Sequence, residues 1–179
     1  MRFSCATCFI ALAILSATAS AQWREWDAEF DEGKKTWKEI QAQLPTYPMP
    51  ENLARVQTGS ATSHRFYVDT GSVSVGEDGV TRYTVVVKTG GGATNVTFEG
   101  MRCETREQKL YALGRSDNSW IRARDTNWRR VVLRDLTPHH HTLYFDYFCA
   151  LGRMPTPVSQ VVNALKRGYG LKSSSATDG

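Results

Sequence analysis

Residues 65–103 read RFYVDTGSVSVGEDGVTRYTVVVKTGGGATNVTFEGMRC, a series of β-like runs parted by glycine-rich breaks and closed by a cysteine. Phe66 and Val68 share one strand face with Tyr67 opposite, and Val73 and Val75 make a short second strand. Asp69 ends the first strand and holds a Thr70-Gly71 turn through its own carboxylate. Glu77-Asp78-Gly79 is the turn of a hairpin. Arg82–Lys88 is the strongest strand: Tyr83, Val85 and Val87 lie on one face, Thr84 and Val86 on the other. It is apolar on both faces near its middle, as a central strand is. Gly90-Gly91-Gly92 forms a hairpin tip, since a phosphate-binding loop would need a lysine–threonine pair and a helix after it. On the return strand, Thr94–Cys103, Val96 and Phe98 point one way. Thr97, Glu99, Met101 and Cys103 point the other, and Gly100 marks a bulge.

Downstream, Gln108–Gly114 is a strand with Leu110 and Ala112 opposed to Tyr111 and Leu113. Ser116–Ser119 is a turn, and Trp120–Arg124 is a further strand. The period then changes. Tyr144, Tyr147, Phe148 and Leu151 fit a helical stripe that carries Cys149 onto the sheet. A last helix has Thr156 as N-cap, Pro157 at its first position and Val158, Val161, Val162 and Leu165 as its buried stripe. Lys166 and Arg167 sit at its negative end and Gly168 stops it. Residues 169–179 are a disordered tail. Upstream, residues 22–61 are an acidic segment leading to a strap whose prolines, Pro45, Pro48 and Pro50, exclude a helix. Residues 62–168 form the domain. The fold class is α+β: a mainly antiparallel β-meander of about five or six strands with C-terminal helices packed on one face.

The first 21 of the 179 residues stand apart. Arg2 supplies a basic start, Phe9–Leu15 an apolar run and Ala19-Ser20-Ala21 a small-residue cleavage site, the layout of a secretory signal peptide cut after Ala21. The apolar run is too short to span a bilayer, and no later stretch is long enough. The expected location is the periplasm. Loss of the leader removes one basic residue and lowers the net charge from +4 to +3. It also removes two of the four cysteines. The remaining pair, Cys103 and Cys149, is expected to oxidise in an exported chain, and the two are too far apart in sequence for a C-x-x-C redox motif.

Charge is unevenly spread. Residues 25–32 hold five acids and no base, whereas residues 102–134 hold nine Lys or Arg against four acids. Strand alternation places Trp120, Arg122 and Arg124 on a solvent face, with Ile121 and Ala123 beneath them in the core. Trp128, Arg129, Arg130 and Arg134 follow. An aromatic plate flanked by guanidinium groups suits phosphate, sulfate or carboxylate on a larger scaffold. The expected partner is therefore an anionic envelope or matrix ligand, and nucleic acid does not suit the compartment. His139-His140-His141 reads as an exposed loop after Pro138, because adjacent histidines cannot all reach one ion from a regular element. Neither metal nor cofactor is expected. His64, Asp69 and a serine lack the strand–nucleophile–helix setting of a hydrolase. The chain reads as no enzyme.

The segments WKEIQAQLPTYPMPENL, SATSHRFYVDTGSVSVGEDGVTRYTVVVKT, NVTFEGMRCETREQKLYALGR and the pair ARDTNWRRV and YFDYFC resemble the cryptic neisserial protein-like family of exported bacterial proteins. The resemblance runs from Trp37 to Gly168 and implies export but no reaction. A more distant likeness is to the surface-adhesin protein E domain, through Tyr67, Asp69, Ser72, Cys103, Arg106, Trp128 and Cys149. That likeness implies an adhesin-like surface module binding host or matrix ligands. This chain, however, has no lipid-attachment cysteine at its cleavage site. The favoured reading is an exported, non-catalytic binding or envelope-associated module.

Overall fold

A computed structural model of the chain describes residues 36–59, 62–132 and 138–171. The expected leader with its cleavage site, the acids of residues 25–32, Arg134 and the stretch from Lys172 to Gly179 lie outside them. Every element below belongs to one compact unit, Lys38–Gly179. Its strands are β1 (Leu53–Val56), β2 (Arg65–Val75), β3 (Val80–Lys88), β4 (Thr94–Arg102), β5 (Glu107–Gly114), β6 (Trp120–Arg122) and β7 (Arg129–Arg130). They form one antiparallel sheet in the order β1-β2-β3-β4-β5-β6, with β7 also paired to β5. The meander follows the sequence because each connection is a hairpin or short loop, which joins antiparallel neighbours only. β1 lies inside the stretch that reads as strap: Pro50 opens a short 3-10 turn, and the chain pairs with β2 directly after it.

Both glycine-bearing hairpins form where expected. Gly79, at φ 72°, closes the β2–β3 turn, and Gly92, at φ 88°, closes the β3–β4 tip. β3 is central and buried along most of its length. The two strands expected across residues 65–75 are a single one. Instead of reversing the chain, residues 70–73 loop out of the ladder between Asp69↔Thr84 and Ser74↔Arg82. Local bonds hold this bulge. The Gly71 amide donates to Asp69 Oδ1 at 3.1 Å, the turn bond expected of Asp69. Ser72 Oγ donates to the Asp69 carbonyl and accepts the Thr84 amide, both at 2.9 Å, so a side chain completes the ladder.

The β4–β5 bulge falls at Phe98/Glu99 rather than at Gly100, with Tyr111 as the extra residue. Tyr111 and Ala112 consequently share a face with Phe98 instead of alternating. Gly100 instead makes room for a ring, since a Cβ there would lie 2.7 Å from the Tyr111 side chain.

The main core lies between one sheet face and the C-terminal helices. α1 (Pro138–Thr142) continues as a π-helical turn, Leu143–Phe148, and α2 (Val158–Arg167) follows. Phe66, Val68, Tyr83, Val85 and Met101 of the sheet meet Leu143, Tyr147, Phe148, Val161 and Leu165. Cys103 and Cys149 are bonded, with Cα atoms 5.4 Å apart, and staple the end of β4 to the helices. Gly168 ends α2 in the left-handed conformation, as expected. Three expectations fail here. Pro157, expected at the first helical position, is itself the N-cap before Val158. Thr156 makes no side-chain cap; its hydroxyl is buried while its amide donates to the Phe148 carbonyl at 2.7 Å. Leu151 is 66% exposed, because the helical turn stops at Phe148.

The other sheet face carries a smaller cluster, Phe98, Tyr111 and Ala112, covered by Ala42 and Trp120. An extended strap, residues 38–49, lies over it. The strap is tied by the Ile40 amide to Asp78 Oδ2 at 2.9 Å, Arg82 Nη2 to the Ile40 carbonyl at 2.8 Å, and Tyr47 Oη to the Arg115 carbonyl at 3.0 Å.

Candidate functional site

The basic surface is built on β6 and the loop after it. Arg122 and Arg124 are exposed as expected, but Trp120 and Ile121 are not where alternation puts them. Ile121 is 50% exposed, whereas the Trp120 ring is half-buried against Tyr47 and Phe98, with centroids 5.5 and 6.2 Å away. Trp120 Nε1 donates to the Pro45 carbonyl at 2.9 Å. The physical reason is the strap. It gives the second face an apolar cluster of its own, and an indole gains more from burial there than Ile121 would at a sheet edge. Arg122 and Arg124 border solvent, and the Ala123 amide still pairs with the Tyr111 carbonyl at 2.9 Å.

Arg122 borders a groove of about 310 Å³ between strap residues Glu39–Ala42 and the Lys109 and Tyr111 side chains. Glu39 closes one end. Its carboxylate accepts Lys109 Nζ and Tyr111 Oη at 2.7 Å each and Trp128 Nε1 at 3.3 Å. Burial alone would raise the Glu39 pKa, but these three donors and the Lys109 charge together hold it below the usual range. Burial, reinforced by Glu39, pushes the Tyr111 phenol upward.

The six candidate side chains therefore divide. Trp120 and Trp128 anchor the strap. Arg129 is paired with Asp125, and Arg130 stands opposite Glu107 in the β5–β7 pairing. Among the described residues, Arg122, Arg124 and Arg130 take neither an ion pair nor a side-chain hydrogen bond, and of the three Arg122 lines the strap groove. Of the upstream bases, Arg102 pairs with Glu104 at 2.8 Å. Arg106, at φ 58°, lays its guanidinium 4.6 Å from the Phe145 ring and packs the helix onto the sheet.

A second polar constellation lies in the main core. His139 and His140 are not in an exposed loop; both are buried at the start of α1. His140 Nε2 is 2.8 Å from Glu99 Oε2, and Thr97 Oγ1 donates to Glu99 Oε1 at 2.7 Å. Burial would raise the Glu99 pKa, but the His140 charge and hydrogen bond outweigh it and hold the carboxyl at about 2. Fully buried beside it, the Tyr83 phenol is pushed upward, first by burial and then by the Glu99 charge. The sequence does carry a signal for this cluster. Glu99 shares the core-facing side of β4 with Met101 and Cys103, and a buried acid needs a partner. His141 turns away onto Phe145, with centroids 4.5 Å apart. His64 accepts the Gly90 amide at the hairpin tip and Asp69 is spent on Gly71, so each has a structural use.

Together these features define an antiparallel meander stapled by a disulfide to its C-terminal helices and covered on its second face by an extended strap. The chain belongs to the CNP1-like family, whose sequence model matches residues 32–166. No curated protein and no solved structure matches it.

Proposed function

We propose that the chain is an exported, periplasmic, non-catalytic module that binds an anionic envelope or matrix component through Arg122 and Arg124. One observation carries this reading. These two arginines border solvent without an ion pair among the described residues, while the nearby acids Glu39 and Asp125 already have cationic partners. Uncommitted guanidinium groups beside a groove suit sulfate, phosphate or carboxylate groups presented on a larger scaffold. The leader sequence and the Cys103–Cys149 bond support export. Among the described residues, no helix is long and apolar enough to cross a membrane.

The test is retention on an immobilised sulfated polymer such as heparin. Wild type is retained at low salt and released as ionic strength rises, because exposed charges are screened over ~10 Å at 0.1 M. Arg122→Ala/Arg124→Ala elutes at lower salt with a nearly unchanged melting temperature. Equal elution would reduce the arginines to a solvated face. Labelling of intact cells distinguishes a periplasmic protein from a surface-displayed, adhesin-like one.

A further inference from the structure

We propose that Glu99, His139 and His140 form a three-donor site for a zinc-class ion, a late first-row divalent transition metal, inside the main core. Two imidazoles and a carboxylate are a donor set that zinc accepts, and hard cations such as calcium or magnesium are poorly served by it. All three residues are buried, and their donor atoms lie within 4.8 Å of one another. The objection that adjacent histidines diverge on a regular element is met by the packing. The His139 and His140 rings lean together, with centroids 4.2 Å apart, while the Phe66 ring stacks on His139 at 4.8 Å. Only two of the three consecutive histidines are recruited, since His141 packs on Phe145.

The surroundings supply the outer bonds that a metal-binding carboxylate uses. Thr97 Oγ1 holds Glu99 Oε1 at 2.7 Å, which leaves Oε2 directed at the imidazoles. Zinc bonds of ~2.0–2.2 Å in tetrahedral geometry separate neighbouring donors by about 3.3–3.6 Å. Binding would therefore draw in the widest pair and part the 2.8 Å His140–Glu99 pair. Because the ligands come from β4 and α1, the ion would join the same two regions that the disulfide joins. Loading a site this buried accompanies folding. The site lies on the helix-covered face of the sheet, away from the strap groove, and does not depend on the anion-binding proposal.

The experiment uses the untagged exported chain, which lacks the expected leader's thiols Cys5 and Cys8, with its disulfide intact, unfolded in guanidinium and refolded with zinc chloride. After dialysis, bound metal is counted by elemental analysis. Wild type is expected to retain one zinc per chain and to melt several degrees higher than the same chain refolded with a chelator. His139→Phe keeps a ring on Phe66 and removes both donor nitrogens; zinc occupancy should fall at least about tenfold. Glu99→Gln, which preserves size and the Thr97 contact, gives the same reading should His139→Phe fold poorly. His141→Ala should retain the ion. Refolded wild type without zinc, or equal zinc in wild type and both core variants, would overturn the site.

Discussion

Ser72 shows how one side chain can stand in for a rung of the sheet. Its hydroxyl bridges the Asp69 carbonyl and the Thr84 amide where residues 70–73 leave the ladder. Ser72→Ala leaves that buried amide without its acceptor and should cost about 1–3 kcal/mol, read as a lower denaturation midpoint at unchanged slope. Asp69 is legible in the sequence because its bond to Gly71 spans two residues and follows ordinary turn chemistry. Alternation puts Glu99 on the correct face of β4, but its partner is not legible. His140 is 41 residues away, and nothing local to a histidine run says which strand it will meet. The use of Gly100 is hidden for a similar reason: the ring it admits belongs to Tyr111 on the next strand.

At the scale of elements, β3, β4, β5, both hairpins and the end of α2 are legible because alternation, glycine placement and helix stops are local signals. The strap is legible as extended but not as a cover. Its attachments are carbonyls, amides and Glu39, which have no period, so although Phe98 marks a second apolar face nothing local says what covers it, and alternation alone misplaces Trp120 and Ile121. The Asp78–Arg82 pair ties the strap to the β2–β3 hairpin. Burial would raise the Asp78 pKa, but the Arg82 guanidinium and the Ile40 and Val80 amides hold it below its ordinary 3.8. A depressed folded pKa means that this stabilisation is fully present above 3.8 and is lost as pH falls through the lower folded value. Asp78→Asn should therefore melt below wild type at neutral pH, with the difference shrinking in acid below about pH 4. Melting curves across that range check it, and a pH-independent difference would contradict the assignment.

For the whole molecule, cysteine arithmetic pairs Cys103 with Cys149 once Cys5 and Cys8 are assigned to the expected leader, and the two are bonded. Closing a loop with a sequence separation of 46 restricts the unfolded chain. Reduction should therefore cost about 2–4 kcal/mol, seen as a melting temperature several degrees lower in reductant. What a sequence cannot expose is which charges remain uncommitted after folding. Nine basic residues crowd 102–134, yet Arg102, Lys109 and Arg129 are committed to Glu104, Glu39 and Asp125, and Arg106 to aromatic rings. Among the described residues that sorting leaves Arg115, Arg122, Arg124 and Arg130 without an ion pair, and of these Arg122 borders the strap groove, with Arg124 two residues on, as the proposed anion contact. The most direct measurement is an NMR titration of the isotope-labelled protein with a sulfated oligosaccharide at low salt. Saturable shifts should centre on Arg122, Ala123 and Arg124 and the groove edge at Thr126, and vanish in high salt. Shifts centred elsewhere on the sheet, or none at saturating oligosaccharide, would contradict the assignment.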